Sequence, residues 1–332
     1  MIPVGWGVLG TGQIAETFVR DLHLVPDARL VAVATRSPGG LAHVAAAFGA
    51  VRAYASYEDL VVDPEVDVVY VATPHIAHYD NMMLCLEAGK AVLCEKPFTM
   101  NADQATAVVE LARARGLFAM EAMWTRFVPL VARTRELLEA GAIGQPQLFV
   151  AQLGQSMPRE ESSYLFDLDN GGGLLLDATV YPVSLASYFF GEPLAAHSVA
   201  GFDASGVDDR QAIVLDWGDG RLASIVATLN SPLAPTFAIH GDAGSLHAEP
   251  LFAPSRLTIR RAEEEETIHM PPDGQGYVHQ ALEVIACLRA RRLESSMMPL
   301  DETISVMRLL DGLRGSWGLV YPFERAHGAL RR

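Results

Sequence analysis

The chain has 332 residues, half of them hydrophobic and 20% charged, which excludes a disordered chain and exceeds what one core usually organises. Two domains of roughly 120 to 200 residues are expected. The formal charge of -15 repels polyanions, so nucleic-acid binding is not expected as the main activity.

The first residues, "MIPVGWGVLGTG", lack a basic n-region, so no signal peptide is expected, and no apolar run is long enough for a membrane span. Cys85, Cys94 and Cys287 match neither a disulfide framework nor a zinc site and fit a reducing cytoplasm. From residue 4 to about 120, "VGWGVLG", "RLVAVAT", "VDVVYVAT", "AVLCEK" and "GLFAMEA" read as strands. The segments between them, about 12–24, 38–48, 75–89 and 101–115, carry apolar residues at helical spacing. This alternation predicts an α/β domain, a doubly wound Rossmann parallel sheet, over 1–122.

After about residue 145 the pattern changes. "PQLFVAQLG", "QAIVLDWGDGRLASIVATLN", "TFAIHGDAGSLHAE" and "RLTIRRAEEEETIHM" read as consecutive antiparallel strands, with Asp and Gly at the turns. Helices are expected at 173–188, 277–291 and 301–318. Residues 123–332 are thus predicted to form an α+β domain with an open, mostly antiparallel sheet, with the 301–318 helix packing back on the first domain. Glu263 to Glu266 read as a solvated face or hairpin edge.

"VLGTGQIAETF" places Gly10-x-Gly12-x-x-Ala15 between the first strand and the first helix. Gly10 allows the tight turn, Gly12 lets the backbone approach a pyrophosphate, and Ala15 keeps helix and strand close. Gln13 and Ile14 open that helix and complete the dinucleotide loop. An NAD site usually offers a carboxylate about 20 residues further on. Here the second strand ends in Thr35, Arg36 and Ser37 instead. Arg36 can pair with a 2'-phosphate, and Thr35 or Ser37 can hydrogen-bond it, which favours NADP, with NAD the lesser alternative.

Further binding candidates sit where strands end at the carboxyl edge of the sheet: Thr73, Pro74, His75 and His78 after one strand, Glu95, Lys96 and Pro97 after the next. His75 and His78 lack the partners of a metal site, and no metal is expected. "GGGLLLDATVYPVSLASYF" puts Asp177 and Tyr181 four apart, on one face of the predicted helix. A tyrosine with a pKa of about 10 needs a nearby ammonium to serve as a base at neutral pH, and Lys96 can supply it, with Asp177 holding the set in register. A simple packed pair remains the alternative for Asp177 and Tyr181 taken alone.

Together, "GxGxxA", "ATPHIAH", "CEKPF", "EAMWTRFVP" and "GGGLLLDATVY" resemble the glucose-fructose oxidoreductase, inositol dehydrogenase and rhizopine-catabolism (Gfo/Idh/MocA) family over nearly the whole chain. Within it, "MEAMWTRFVP", "AVLCEKPF" and "GVDD" resemble the dimeric dihydrodiol dehydrogenases and NADP-dependent D-xylose dehydrogenases. The resemblance implies that Lys96 and Tyr181 form the proton-transfer pair, with Asp177 their partner. Many relatives carry histidine where this chain has Tyr181. It also implies that Trp124 and Arg126 border the nicotinamide and substrate with Phe127 behind, and that the C-terminal sheet forms a homo-oligomer face. The expected reaction is hydride transfer between NADP and a sugar, polyol or dihydrodiol hydroxyl or carbonyl in the cytoplasm. A non-catalytic NADP-binding sensor and a glycosidase that uses the nicotinamide transiently are the rivals. Trp124, Phe127, Tyr164 and Phe166 are equally readable as a stacking surface for substrate or as core.

Overall fold

The computed structural model describes residues 2–36, 40–158 and 164–328. The chain divides into two compact units, Met1–Phe127 with Asp273–Ile304, and Val128–Pro272 with Ser305–Arg332.

In the first unit, β1 (Val4–Leu9), β2 (Ala28–Ala34), β3 (Arg52–Tyr54), β4 (Val68–Val71), β5 (Ala91–Glu95) and β6 (Ala119–Ala122) form a parallel sheet ordered β3-β2-β1-β4-β5-β6. Every residue of β1, β4, β5 and β6 is buried, so these strands read as near-continuous apolar runs, broken by Glu95 and Glu121, rather than alternating ones. The connections carry α1 (Gln13–Leu22), α2 (Leu41–Phe48), α3 (Tyr57–Val61), α4 (His78–Glu87) and α5 (Ala102–Arg115). Strand order reverses between β1 and β4, which puts the turn after β1 and the loop after β4 side by side at the switch point where α/β folds bind ligands.

The second unit starts with α6 (Pro129–Glu139) and β7 (Pro146–Gly154), followed by a π-turn at Leu175–Thr179 that runs into α7 (Val180–Phe190). β8 (Ala195–Phe202), β9 (Asp208–Asp216), β10 (Leu222–Thr228), β11 (Leu233–Gly241), β12 (Gly244–Glu249), β13 (Arg256–Arg261) and β14 (Glu264–His269) complete an eight-stranded sheet ordered β14-β13-β12-β11-β7-β10-β9-β8. Alternating burial along β9 and β10 leaves one face apolar and covered. Phe189 of α7 meets Phe149 of β7 and Phe237 of β11 across that face, with ring centroids 6.4 and 5.8 Å apart.

The sheet is mostly antiparallel, as expected; the exception is β7, which pairs parallel with β10 in the middle of the sheet and antiparallel with β11. A strand far back in sequence has been inserted between two later ones, a non-local pairing that turn residues do not encode. The helix expected at 173–188 begins as the π-turn and reaches Phe190. The remaining helices are α8 (Val278–Arg289), α9 (Leu300–Ser316) and α10 (Pro322–Gly328).

Residues 273–304, comprising α8 and the first turn of α9, group with the first unit. Local chemistry explains it. The buried Asp21 carboxylate at the end of α1 accepts the backbone N–H groups of Gln275 and Tyr277 at 2.9 and 2.8 Å, and Arg289 pairs with Asp27 at 2.8 Å. Among the described residues, no helix is long and apolar enough to cross a membrane.

Candidate active site

The glycine turn separates two jobs. Gly10 has φ +102°, and a Cβ there would lie 2.5 Å from the carbonyl oxygen of Ala72, so the fold itself demands glycine. Gly12 caps α1 with ordinary extended backbone, φ -77°, and a Cβ there would meet nothing within 4 Å. Among the described residues nothing therefore requires a glycine at 12. The space beside it lies at the positive end of α1, where a phosphate group fits. Gln13 is exposed and Ile14 half-buried in the first turn, while Ala15 is fully buried.

At the end of β2, Thr35 is buried and its hydroxyl receives the Thr11 hydroxyl at 3.2 Å, which couples the glycine turn to the β2 loop. Arg36 is exposed, with its guanidinium 5.4 Å from the centre of the Tyr57 ring. Thr11 and Tyr57 were not singled out by the motif; only the tertiary arrangement brings them in. Ser37 lies outside the described residues.

The loops after β4 and β5 are tied together from beneath. Thr73 is buried and receives a hydrogen bond from the Asn81 amide at 3.0 Å, while Pro74 is exposed and His75 half-buried. His78 is fully buried. Its Nδ1 lies 2.8 Å from the Pro97 carbonyl and its Nε2 lies 2.9 Å from the Thr73 carbonyl. Burial, reinforced by the Lys96 charge, outweighs these acceptors and pushes the ring down to about 4, so at neutral pH it holds one proton and donates to one carbonyl at a time.

Glu95 is buried and accepts the Tyr70 hydroxyl at 2.5 Å, with the Lys96 backbone N–H 3.3 Å from its other oxygen. Lys96 is half-buried and joined to Pro97 by a cis peptide bond. Glu121 of β6, unnoticed in the sequence, accepts the Phe98 backbone N–H at 3.2 Å. Burial pushes its carboxyl up to about 7; Arg126 and the Phe98 N–H oppose that rise and Glu95 adds to it. The Lys96 loop thus rests on buried carboxylates on either flank.

Trp124 and Phe127 are buried, and Trp124 stacks on Tyr277 with centroids 4.7 Å apart. Arg126 has no exposed surface and donates to Glu302 at 2.7 Å and to the Met297 carbonyl at 3.4 Å. That binds α9's first turn to the end of β6, a support role alongside the one expected for it.

In the second unit, Asp177 lies in the π-turn and Tyr181 in the first turn of α7. Asp177 is half-buried and accepts the Tyr164 hydroxyl at 3.0 Å, so Tyr164, itself 52% exposed, is a polar partner of Asp177 rather than core. Tyr181 is buried, with its ring edge-on to Phe252 at 4.9 Å, and Phe166 is half-buried. Aspartate and tyrosine thus sit on consecutive turns of one unbroken helical segment.

A parallel sheet with a glycine turn at its switch point and a second α+β unit defines a dinucleotide-binding protein of Rossmann type with an added domain. The particular family follows from the chain itself. Residues 4–123 match the model of the oxidoreductase family, NAD-binding Rossmann fold, and residues 131–247 match the GFO/IDH/MocA C-terminal domain. The chain belongs to the Gfo/Idh/MocA oxidoreductases. It is similar to trans-1,2-dihydrobenzene-1,2-diol dehydrogenase of Mus musculus, with 34% identity over 96% of this chain and 98% of that protein. It is also similar to D-xylose 1-dehydrogenase (NADP(+)) of Hypocrea jecorina, with 35% identity over 96% and 93%. Among solved structures it resembles KijD10, a 3-ketoreductase from Actinomadura kijaniata in complex with NADP and TDP-benzene, with a TM-score of 0.85 and 25% identity over 94% and 97%.

Proposed function

We propose that this enzyme uses NADP to transfer hydride to or from a sugar, polyol or dihydrodiol-type substrate, with Lys96 and Tyr181 as the proton-transfer pair and Asp177 as their partner. The observation that carries the cofactor half is Gly12. Gly12 heads α1, its Cβ position meets nothing within 4 Å among the described residues, and the open space lies at the helix's positive end, which suits a bound phosphate. Gly10, Gln13 and Ile14 shape the same turn, and Thr73, Pro74 and His75 border it across the switch point.

NADP is preferred to NAD because β2 is followed by Thr35 and Arg36 and no carboxylate. A phosphate on the ribose suits an exposed guanidinium already stacked on Tyr57. The naming of an NADP-dependent relative and the NADP complex of KijD10 support this choice. When bound, the nicotinamide supplies the hydride acceptor or donor. The chain's share is proton handling and orientation. Tyr181 takes the hydroxyl proton on its phenol oxygen in oxidation and returns it in reduction. The Lys96 ammonium favours the phenolate, and Asp177, steadied by Tyr164, orients the substrate hydroxyl. Trp124 and Phe127 provide apolar walls for the ring of the substrate.

Titrating the purified protein with NADPH and NADH by fluorescence, then offering aldoses, polyols, dicarbonyls and trans-dihydrodiols, tests the reading. Tighter NADPH binding with turnover of a panel member supports it. Binding without turnover moves the chain to the sensors, and no dinucleotide binding overturns the proposal.

A further inference from the structure

The "GVDD" motif plays no part in the chemistry proposed so far, yet its first aspartate is among the most deeply buried charged side chains of the second unit. Asp208 opens β9 and has no exposed surface. One carboxylate oxygen, Oδ2, accepts the backbone N–H of Leu175 at 2.7 Å and the side-chain amide of Gln211. Leu175 is the first residue of the π-turn that holds Asp177 and continues into α7 with Tyr181. The carboxylate therefore satisfies a backbone donor that the opening of this helical element leaves without an internal partner.

The glycines of "GGG" fit around this contact. A Cβ at Gly173 would lie 2.3 Å from Asp208 Oδ1, and Gly173 has φ +120°, so only glycine lets the carboxylate reach Leu175. A Cβ at Gly172 would lie 2.5 Å from the Tyr164 carbonyl and 2.7 Å from that of Leu165. Gly172 thus lets the loop bearing Tyr164 lie against the same turn, where Tyr164 donates to Asp177. The Tyr321 hydroxyl donates to the Gly172 carbonyl at 3.2 Å and closes the assembly from the other side. Asp177 is consequently held twice, its carboxylate by Tyr164 and its backbone turn by Asp208.

We infer that Asp208 is a positioning residue for the reaction: its buried carboxylate anchors the π-turn at Leu175 and so sets the placement of Asp177 and Tyr181. The inference rests on the assignment of those two residues to proton transfer. A π-turn is a strained register that packing must impose, and such turns recur at functional sites. A buried carboxylate is a costly way to hold a helix start where a neutral cap would serve. Burial pushes Asp208 up to about 7 in spite of the hydrogen bonds, those from Leu175 and Gln211 among them, that favour its charged form. That cost is explicable if the geometry it secures is the geometry of the reaction.

The test compares Asp208→Ala, Asp208→Asn and Tyr181→Phe singly, and Asp208→Ala with Tyr181→Phe together. Asp208→Ala is expected to lower kcat on the order of 100-fold, the size of an ångström-scale misplacement, while the NADPH Kd stays within about 2-fold. Asp208→Asn keeps an acceptor at Oδ2 and should recover kcat to within about 5-fold of the unsubstituted enzyme, because one amide oxygen can take both hydrogen bonds. In the Tyr181→Phe background, Asp208→Ala should cost less than about 3-fold, since misplacing an absent hydroxyl loses nothing. Unchanged kcat in folded Asp208→Ala, or full additivity with Tyr181→Phe, overturns the inference. Should Asp208→Ala fail to fold, Gln211→Leu replaces it. That variant removes one of the donors that orient the carboxylate; a kcat loss of about 3- to 10-fold that vanishes in the Tyr181→Phe background supports the inference, and an unchanged or additive kcat overturns it. If Tyr181→Phe itself turns over normally, the proton-transfer reading has failed and not merely the role of Asp208.

Discussion

Glu121 offers a sharp quantitative test, because a carboxylate has been placed where an apolar residue would be expected, in the middle of a fully buried strand. Its carboxyl is raised from 4.5 to about 7, chiefly by burial. At about 1.36 kcal/mol per pH unit, this is about 3 kcal/mol between the two protonation states. The sign follows from linkage. The folded protein holds the Glu121 proton more tightly than the unfolded chain, so the associated stability is fully present below about 4.5 and is lost as pH rises through about 7. Glu121→Gln keeps the acceptor for Phe98 N–H and cannot ionise. Opening free energies for the core amides of β5 and β6, measured by hydrogen exchange in both proteins from about pH 5 to 8.5, should diverge with pH. The glutamine variant should gain up to about 3 kcal/mol on the unsubstituted protein across that range. Other titrating groups, His78 and Asp208 among them, are common to both proteins and cancel in the difference. A difference that stays flat with pH would show that Glu121 is not held as a buried acid and would refute the reasoning.

Two further outcomes bear on the cofactor. Gly12→Ala should leave the thermal midpoint within about 2 °C, since its methyl group meets nothing, yet weaken NADPH binding by at least about 10-fold as measured by fluorescence titration; unchanged affinity would remove the glycine argument. Arg36→Ala should cost NADPH about 1.5 to 3 kcal/mol, or roughly 10- to 150-fold in Kd, with little change for NADH, and equal losses for both would assign Arg36 to the shared part of the dinucleotide.

The parallel sheet was legible because its strands are buried on both faces and its glycine turn has a conformation that few residues accept. β1, β2, β4, β5 and β6 all fall where apolar runs place them. β3 and α3 escaped notice because three residues, "RAY", and five, "YEDLV", are too short to display a period. β8, "AAHSVAGF", carries only one β-branched residue and half-exposed positions, so its strand character comes from its neighbour β9. α6 did carry a signal, with Pro129 at its first turn and Leu130, Val131 and Leu137 buried at helical spacing.

The candidate site divides along the same line. Gly10, Gly12, Lys96, Asp177 and Tyr181 stand out as local motifs, whereas the groups that steady them come from far along the chain. Arg126 meets Glu302 across 176 positions, and Leu175 meets Asp208 across 33. No spacing rule finds such partners, because burial and not periodicity selects them. The π-turn beneath Asp177 is likewise invisible in "GGGLLLDATVY", which has the pattern of an ordinary helix start.

The central claim, that Tyr181 moves the proton as NADP carries the hydride, is tested most directly by the turnover of Tyr181→Phe on the best panel substrate, followed by NADPH absorbance at saturating cofactor. The kcat is expected to fall by roughly 10² to 10⁴-fold with the NADPH Kd unchanged, the loss that follows when a general acid-base group is removed from an intact site. A folded Tyr181→Phe variant that turns over at the rate of the unsubstituted enzyme would contradict it.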